Sequence, residues 1–239
     1  MTDRPRLALL DASHSGESTR RNFRRELDAD LVEFAVHEEM PDTFGFDGAV
    51  ITGSRASVYW DEPWIDPLVE WVGTAVERGM PVLGVCFGHQ VLADALGGTV
   101  EDMGSYEIGY RDVELGDDPL FAGVESPATV FTTHPDAVTE LPPEAEQIAE
   151  NDYGVHGFRV GNAVGVQFHP EYDPATAREV ASGKDLPDKR IERVLEGITE
   201  TNYAAACEAK ALFENFVGSV REQPADEASA ARAGETADD

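Results

Sequence analysis

The sequence predicts an α/β fold: a doubly wound, mostly parallel sheet with helices on both faces, followed by C-terminal helices. Short apolar runs of strand length alternate with helical patterns along the first part of the chain, and this alternation is typical of parallel sheets covered by helices. The middle of the chain changes to short strand patterns separated by turn residues. That change indicates an antiparallel extension, so the sheet as a whole is expected to be mixed.

The elements of the first part follow from their residue patterns. Short apolar runs predict strands at residues 6–10, 31–36, 48–52 and 81–85. Spaced apolar residues predict amphipathic helices at residues 19–27, 64–78 and 90–96. Gly79 follows the second of these helices and Gly97 follows the third, as expected for residues that end a helix.

The remaining elements are predicted in the same way. Further strands are expected at residues 110–115, 128–133, 147–149, 156–160 and 163–166. Residues 175 to about 222 have helical character, and residues 223–239 lack large apolar side chains and predict a disordered acidic tail. The sequence therefore predicts one domain over residues 1–222, whose C-terminal helical extension is residues 175–222, and a tail over residues 223–239.

The charge balance is strongly acidic. The 239 residues include 47 Asp and Glu against 18 Lys and Arg, which gives a formal net charge of −29. This excess would repel nucleic acids and anionic membranes, so neither is expected as a partner. Concentrated salt screens such self-repulsion, because the Debye length falls to about 3 Å at 1 M. The composition therefore indicates adaptation to concentrated salt rather than an acidic interaction surface.

Cysteine content and hydropathy indicate the compartment. Cys86 and Cys207 are the two cysteines, too few for a disulfide framework. The apolar run at residues 7–10 is short and ends at Asp11, which predicts a strand rather than a signal peptide. No apolar run approaches transmembrane length. The expected location is cytoplasmic, with reduced thiols.

The segment Gly84-Val85-Cys86-Phe87-Gly88 lies between a predicted strand and a predicted helix. It has the pattern of a nucleophile elbow, in which a sharp turn lifts the nucleophile above the sheet and small neighbours relieve crowding. The N-terminus of the following helix favours a thiolate. A lone cysteine is more often a small buried hydrophobic residue, but the flanking glycines in this context favour a nucleophile.

A second segment, Gly165-Val166-Gln167-Phe168-His169-Pro170-Glu171, supplies a base. Pro170 favours extended backbone at His169, and residues two apart in extended backbone point to the same side, so Glu171 can orient the His169 ring. A base held by a carboxylate is what a cysteine nucleophile needs in acyl transfer. The tripeptide alone is more often an ordinary turn, but together with the elbow it indicates a catalytic set.

These segments resemble the class I, or triad, glutamine amidotransferases, especially the amidotransferase portion of GMP synthases and their stand-alone relatives. The resemblance covers residues 6–173; residues 84–90 and 165–171 are its most specific pieces, and residues 133–138 are a weaker one. It implies that Cys86 attacks the side-chain amide of glutamine, that His169 delivers a proton to the departing ammonia, and that Glu171 holds His169. A γ-glutamyl thioester forms, and water then releases glutamate.

The resemblance also implies the residues around this triad. The backbone N–H of Phe87 is the expected first donor to the oxyanion, and Gly53 is the expected second. The family usually has Gly-Gly-Pro where this chain has Thr52-Gly53-Ser54, so the donor glycine is kept and its neighbours are not. Gln90 and Asp136 are expected to bind substrate. The alternative role for Gln90 is a polar residue of the first helical turn, and Asp136 is expected to shape its loop rather than to do chemistry.

No metal or other cofactor is expected, because the cysteines and histidines lack metal-ligand spacing. The sequence has no Walker phosphate loop and no Ser-Gly-Gly-x-Asp-Ser motif, so the ammonia is expected to go to a separate ATP-dependent synthetase subunit. A GMP synthetase subunit is the first candidate by resemblance.

Two alternatives remain: a stand-alone hydrolase of γ-glutamyl amides or peptides, and a silent binding protein, which the intact triad disfavours. His89 is expected to be an exposed or capping histidine.

Overall fold

The computed structural model of the protein describes residues 4–14 and 17–223. Its strands are β1 (Arg6–Asp11), β2 (Asp30–Ala35), β3 (Gly48–Ile51), β4 (Val82–Val85), β5 (Thr99–Leu115), β6 (Ala128–Glu140), β7 (Glu146–Asn151), β8 (Gly154–Val160) and β9 (Ala163–Val166). Its helices are α1 (Glu17–Glu26), α2 (Ile65–Glu77), α3 (Phe87–Ala95), α4 (Pro174–Ser182), α5 (Asp188–Gly197), α6 (Glu200–Ala206) and α7 (Ala211–Glu222). Within these residues the strands form one nine-stranded sheet in the order β2-β1-β3-β4-β9-β8-β7-β5-β6. The predicted mixed α/β sheet is confirmed.

The parallel half of the sheet consists of β2, β1, β3, β4 and β9. Every residue of β3, β4 and β9 is buried. Strands covered on both faces need apolar residues at successive positions, which is why these runs are continuously apolar rather than alternating. The carboxyl ends of parallel strands meet at one edge of the sheet, where ligands bind in open α/β folds. The loops after β3, β4 and β9 therefore converge.

Strand β9 corrects one prediction. The sequence assigns residues 163–166 to the antiparallel extension, whereas β9 pairs in parallel with β4, with Val82 opposite Ala163, and antiparallel with β8. A four-residue apolar run carries no signal of strand direction. The consequence is functional, because β9 brings the segment that follows it beside the segment that follows β4.

Two apolar cores lie on opposite faces of the sheet. On one face, Phe23 of α1 packs with Phe213 and Phe216 of α7. On the other face, Leu68 and Trp71 belong to the core that α2 and α3 form over the sheet. Helices therefore cover both faces, as the doubly wound prediction requires.

Strands β5 and β6 are longer than predicted, and they form an antiparallel pair. The sequence locates their outer parts, at residues 110–115 and 128–133, but misses residues 99–109 and 134–140. The missed part of β5 contains exposed acidic residues and a register shift between Asp102 and Glu107, so it resembles a loop. The missed part of β6 begins at His134, which lies opposite Glu107 in the ladder.

The C-terminal helices differ in how they pack. Asp173 caps α4, since its Oδ1 accepts a hydrogen bond of 2.8 Å from the Thr176 backbone N–H. Helix α7 buries five apolar residues, while α5 and α6 have no fully buried residue. The predicted tail lies outside the described residues, apart from Gln223. In the part of the chain that the structure describes, no helix is both long and apolar enough to cross a membrane.

Candidate active site

Cys86 lies at a sharp turn between β4 and α3. Its backbone has φ 55° and ψ −104°, a left-handed conformation that is unusual for a residue other than glycine. Strained backbone of this kind persists where the surrounding structure enforces it, most often at functional sites. Here the enforcement is close packing: a Cβ at Gly84 would lie 2.3 Å from the Gly88 carbonyl oxygen, and one at Gly88 would lie 2.4 Å from that of Ile51.

His169 and Glu171 follow β9 and are both almost completely buried. The strand ends at Val166, three residues before His169, and the His169 N–H donates to the Phe131 carbonyl across 2.8 Å. The His169 Nδ1 lies 2.8 Å from Oε1 of Glu171. Because Nδ1 is engaged by this carboxylate, Nε2 is the ring atom available to Cys86.

The charges around His169 hold its ring in the protonated form. Burial alone would lower the pKa of His169, but the charges of Cys86 and Glu171 and hydrogen bonds to both groups raise it to about 10. The Tyr172 ring stacks on the imidazole at a centroid distance of 4.1 Å. An imidazolium beside a cysteine favours the reactive thiolate, so the arrangement suits nucleophilic attack followed by proton donation.

A model of the family described as glutamine amidotransferase class I matches residues 9–182. The chain belongs to this family. A glutamine-hydrolysing GMP synthase of Staphylococcus aureus is 33% identical to this chain over 174 residues, which are 71% of this chain and 30% of the relative. The chain therefore spans about 30% of the length of the curated relatives that it matches.

Solved structures support the same fold. A glutamine amidotransferase from Thermotoga maritima superposes with a TM-score of 0.75 and 24% identity, covering 90% of this chain and 98% of the other. A glutamine amidotransferase from Methylobacillus flagellatus superposes with a TM-score of 0.72 and 20% identity, covering 91% and 95%. The chain thus has the α/β architecture of these proteins, and its sequence is similar to part of a GMP synthase.

Gly53 and Phe87 flank the Cys86 thiol. Phe87 is the first residue of α3, where backbone N–H groups have no partner within the helix. A Cβ at Gly53 would lie 2.8 Å from Cε1 of His169 and 3.6 Å from Cβ of Cys86. The loop after β3 therefore reaches both Cys86 and His169, and it does so only because residue 53 has no side chain.

Gln90 and Asp136 line the same cavity as Cys86. The Gln90 side chain donates to the Asp136 carbonyl across 3.4 Å and to Oε1 of Gln167 across 3.1 Å. The Asp136 carboxylate accepts hydrogen bonds from the hydroxyls of Ser57 (2.6 Å) and Tyr59 (2.7 Å). Both predicted substrate residues are thus buried beside the nucleophile, and other side chains hold them in place.

A buried cluster beside the cavity was not predicted. The carboxylate of Glu107 lies 2.7 Å from Nε2 of His134 and 3.1 Å from Nε2 of His156, and it accepts a hydrogen bond of 2.8 Å from Asn151. Glu107, His134 and His156 are close enough to one another to hold a metal ion. Their spacing in the sequence gave no reason to expect this. No local sequence pattern indicates this cluster, because Glu107 and His134 become opposite neighbours only when β5 pairs with β6.

The prediction for His89 is wrong. The residue is completely buried, and its Nδ1 lies 3.2 Å from Oε1 of Gln167. Burial lowers the pKa of His89 to about 3, so the ring is neutral. A Cβ at Gly165 would lie 2.8 Å from the His89 ring, which shows that His89 fills space between α3 and β9 in this amidotransferase.

Proposed function

We propose that this protein hydrolyses the side-chain amide of glutamine through a thioester on Cys86. The Cys86 Sγ attacks the amide carbon to give a tetrahedral intermediate. The carbon–nitrogen bond then breaks as His169 gives its proton to the departing ammonia. Water attacks the thioester, His169 takes the water proton, and glutamate leaves with the thiol restored. The observation that carries this proposal is the strained Cys86 at the start of α3, next to the buried pair His169 and Glu171.

The intermediate carries an oxyanion, which needs preorganised donors. We assign the Phe87 N–H as one donor, because the first turn of α3 leaves it free. Gly53 is assigned as the second, because its loop adjoins both Cys86 and His169. Asp136 and Gln90 are assigned to the substrate's amino acid portion, since they line the Cys86 cavity.

The ammonia is proposed to serve a separate ATP-dependent synthetase, with a GMP synthetase subunit as the first candidate. The support is similarity to a relative that is a glutamine-hydrolysing GMP synthase, of which the match covers 30%. Ammonia is mostly protonated near neutral pH, and ammonium is not a nucleophile. Direct delivery to a bound partner therefore improves its use.

Glutamate release from glutamine tests the chemistry. Cys86→Ala should abolish it, and Cys207→Ala, which removes the half-buried second thiol, is the matched control and should retain it. Activity of Cys86→Ala within a few-fold of wild type would exclude the proposed nucleophile.

Adding a purified GMP synthetase subunit should raise turnover several-fold. Full turnover that no synthetase stimulates would argue against the proposed partner.

One observation favours a second candidate, a hydrolase of γ-glutamyl amides or peptides with the same triad. Gly183, Lys184 and Asp185 line the Cys86 cavity, although they lie beyond residue 182, where the family match ends. A lining outside the region of the family match could accept a substituted amide. Turnover of γ-glutamyl peptides that exceeds turnover of glutamine would favour this candidate over the first.

A further inference from the structure

Two cationic side chains, Arg55 and Lys184, stand together at the candidate active site. Both line the cavity that contains Cys86, and both also line the adjoining cavity that contains His169. They come from different parts of the chain. Arg55 lies in the loop after β3, two residues past Gly53, and Lys184 lies two residues past the end of α4. The fold therefore brings two positive charges to one place.

Arg55 lies beside the backbone that carries Lys184. A Cβ at Gly183, the residue before Lys184, would lie 3.5 Å from Nη2 of Arg55. The Lys184 ammonium lies 5.4 Å from the centre of the Tyr106 ring, and Tyr106 lines the Cys86 cavity as well.

Neither side chain has an ion-pair partner among the described residues, although the chain has 47 acidic residues. Several other cations in the described ranges do have a partner at short distance: Lys210 lies 2.6 Å from Glu26, and Arg159 lies 2.6 Å from Asp118. In a protein with a net charge of −29, two unpaired cations that line the cavity of the candidate nucleophile indicate a site for an anion that arrives from outside.

None of the described carboxylates that line the two cavities pairs with Arg55 or Lys184. Asp136 is engaged by Ser57 and Tyr59, while Glu179 and Asp185 are exposed and lie outside ion-pair distance of Arg55 and Lys184 in this part of the structure. The Cys86 cavity thus has a fixed negative charge at Asp136 and positive charges at Arg55 and Lys184. This pattern complements an α-amino acid, which carries both an ammonium and a carboxylate.

We propose that Arg55 and Lys184 form a carboxylate-binding subsite for the γ-glutamyl substrate, and this inference rests on the proposed function. The subsite takes the α-carboxylate while the side-chain amide reaches Cys86. A carboxylate could also come from the amine portion of a γ-glutamyl peptide. Both sources share the same chemistry, a planar anion bound by a guanidinium fork and an ammonium.

The first test uses covalent labelling of Cys86, which does not require turnover. The glutamine analogue 6-diazo-5-oxo-L-norleucine keeps the α-ammonium and α-carboxylate, and the thiol displaces its dinitrogen to form a carbon–sulfur bond. Mass spectrometry follows the labelling rate. Arg55→Gln and Lys184→Gln should each lower this rate by about tenfold, since each removes a charge-assisted hydrogen bond to the carboxylate. Labelling by iodoacetamide, which has no carboxylate, should stay within about twofold if the thiol environment is unchanged. Lys189→Gln, at an exposed lysine of α5, is the matched control.

The second test measures how fast wild type and the two variants hydrolyse γ-glutamylglycine and γ-glutamylmethylamide. Only γ-glutamylglycine has a carboxylate in its amine portion. A loss confined to γ-glutamylglycine, with labelling unchanged, would move the subsite to the amine portion and overturn the α-carboxylate assignment. If the labelling rate with iodoacetamide falls as much as the rate with the glutamine analogue, the substitutions disturb the thiol itself. That result also overturns the proposal. If wild type is labelled in a manner that glutamine blocks, yet releases no glutamate, the proposed function fails and the subsite stands. Labelling that glutamine does not block overturns the subsite.

Discussion

At the residue scale, Gly53 shows how little space separates the groups of the candidate site. Gly53→Ala would place a methyl group 2.8 Å from Cε1 of His169, so the ring or the loop must move. A misplacement of catalytic groups by about 1 Å can lower rates by about 100-fold. We expect a loss of that order in kcat/KM for glutamine. Gly218→Ala in α7, where no atom lies within 4 Å of the added methyl, is the control and should retain activity. Equal activity of the two variants would contradict the crowding argument.

Glu171 should affect the pH dependence as well as the rate. Its charge is among the causes that hold the pKa of His169 above the ordinary value. Glu171→Gln removes that charge, so the pKa of His169 falls and the ring loses its proton at lower pH. The basic limb of the kcat/KM profile should therefore move to lower pH. The loss of kcat should be smaller than that of Cys86→Ala by about two orders of magnitude. A basic limb that does not move would show that Glu171 only orients the ring.

Glu107 is predicted to stabilise the fold through its charge. Burial alone would raise its pKa, but hydrogen bonding to His134 and the proximity of His156 lower it from 4.5 to about 2. A carboxylate with a depressed pKa contributes stability above its unfolded pKa, and the contribution is lost as pH falls through the folded value. Glu107→Gln should cost about 3 kcal/mol in the free energy of unfolding at pH 7. The difference from wild type should shrink as pH falls from 4.5 toward 2.

Denaturant unfolding in molar salt measures this effect. Glu101→Gln, at an exposed position of the same strand β5, is the matched control and should change stability by less than about 0.5 kcal/mol. A Glu107→Gln variant as stable as Glu101→Gln would show that the buried cluster does not depend on the negative charge.

These residues divide into those that the sequence predicts and those that it does not. Cys86, His169 and Glu171 stand in short local motifs, so their neighbours in sequence reveal them. Glu107 and His156 acquire their environment from strands far apart in sequence. Burial and partners of this kind arise only when the sheet forms, and no local pattern encodes them.

At the element scale, the same distinction explains the strands. Buried parallel strands were located to within one or two residues, because short apolar runs bounded by turn residues are distinctive. The direction of β9 and the full lengths of β5 and β6 were missed. Both depend on pairing across the sheet, and the polar residues of β5 between residues 101 and 107 carry no strand period.

The packing of α7 predicts that it belongs to the same folding unit as the sheet. Phe213 is 1% exposed and packs edge-to-face on Phe23 of α1. Phe213→Ala should therefore lower the free energy of unfolding by about 3–5 kcal/mol. Phe44→Ala removes the same atoms from a half-buried position and should cost less. Two separate unfolding transitions, or equal losses in the two variants, would contradict the prediction of one domain over residues 1–222.

At the scale of the whole molecule, charge is the dominant feature. Composition alone gave the net charge of −29, and no contact of the fold was needed to infer strong self-repulsion. The positions of the few cations could not be inferred in this way. Several of them pair with nearby carboxylates, as Arg24 does with Glu33 at 2.6 Å, and such exposed pairs contribute little each. Adaptation to concentrated salt therefore stays a prediction about the sum of many charges.

The melting temperature should rise steeply between dilute buffer and molar KCl, because screening removes repulsion among the 47 acidic residues. Each kcal/mol gained corresponds to about 2–4 °C for a chain of this size. Replacing Glu62, Glu125 and Glu192 by Gln changes three exposed carboxylates that have no ion-pair partner in the described ranges. This variant should melt higher than wild type at low salt and converge with it in molar KCl. A melting temperature that is flat across this range, in either protein, would show that the acidity serves another purpose.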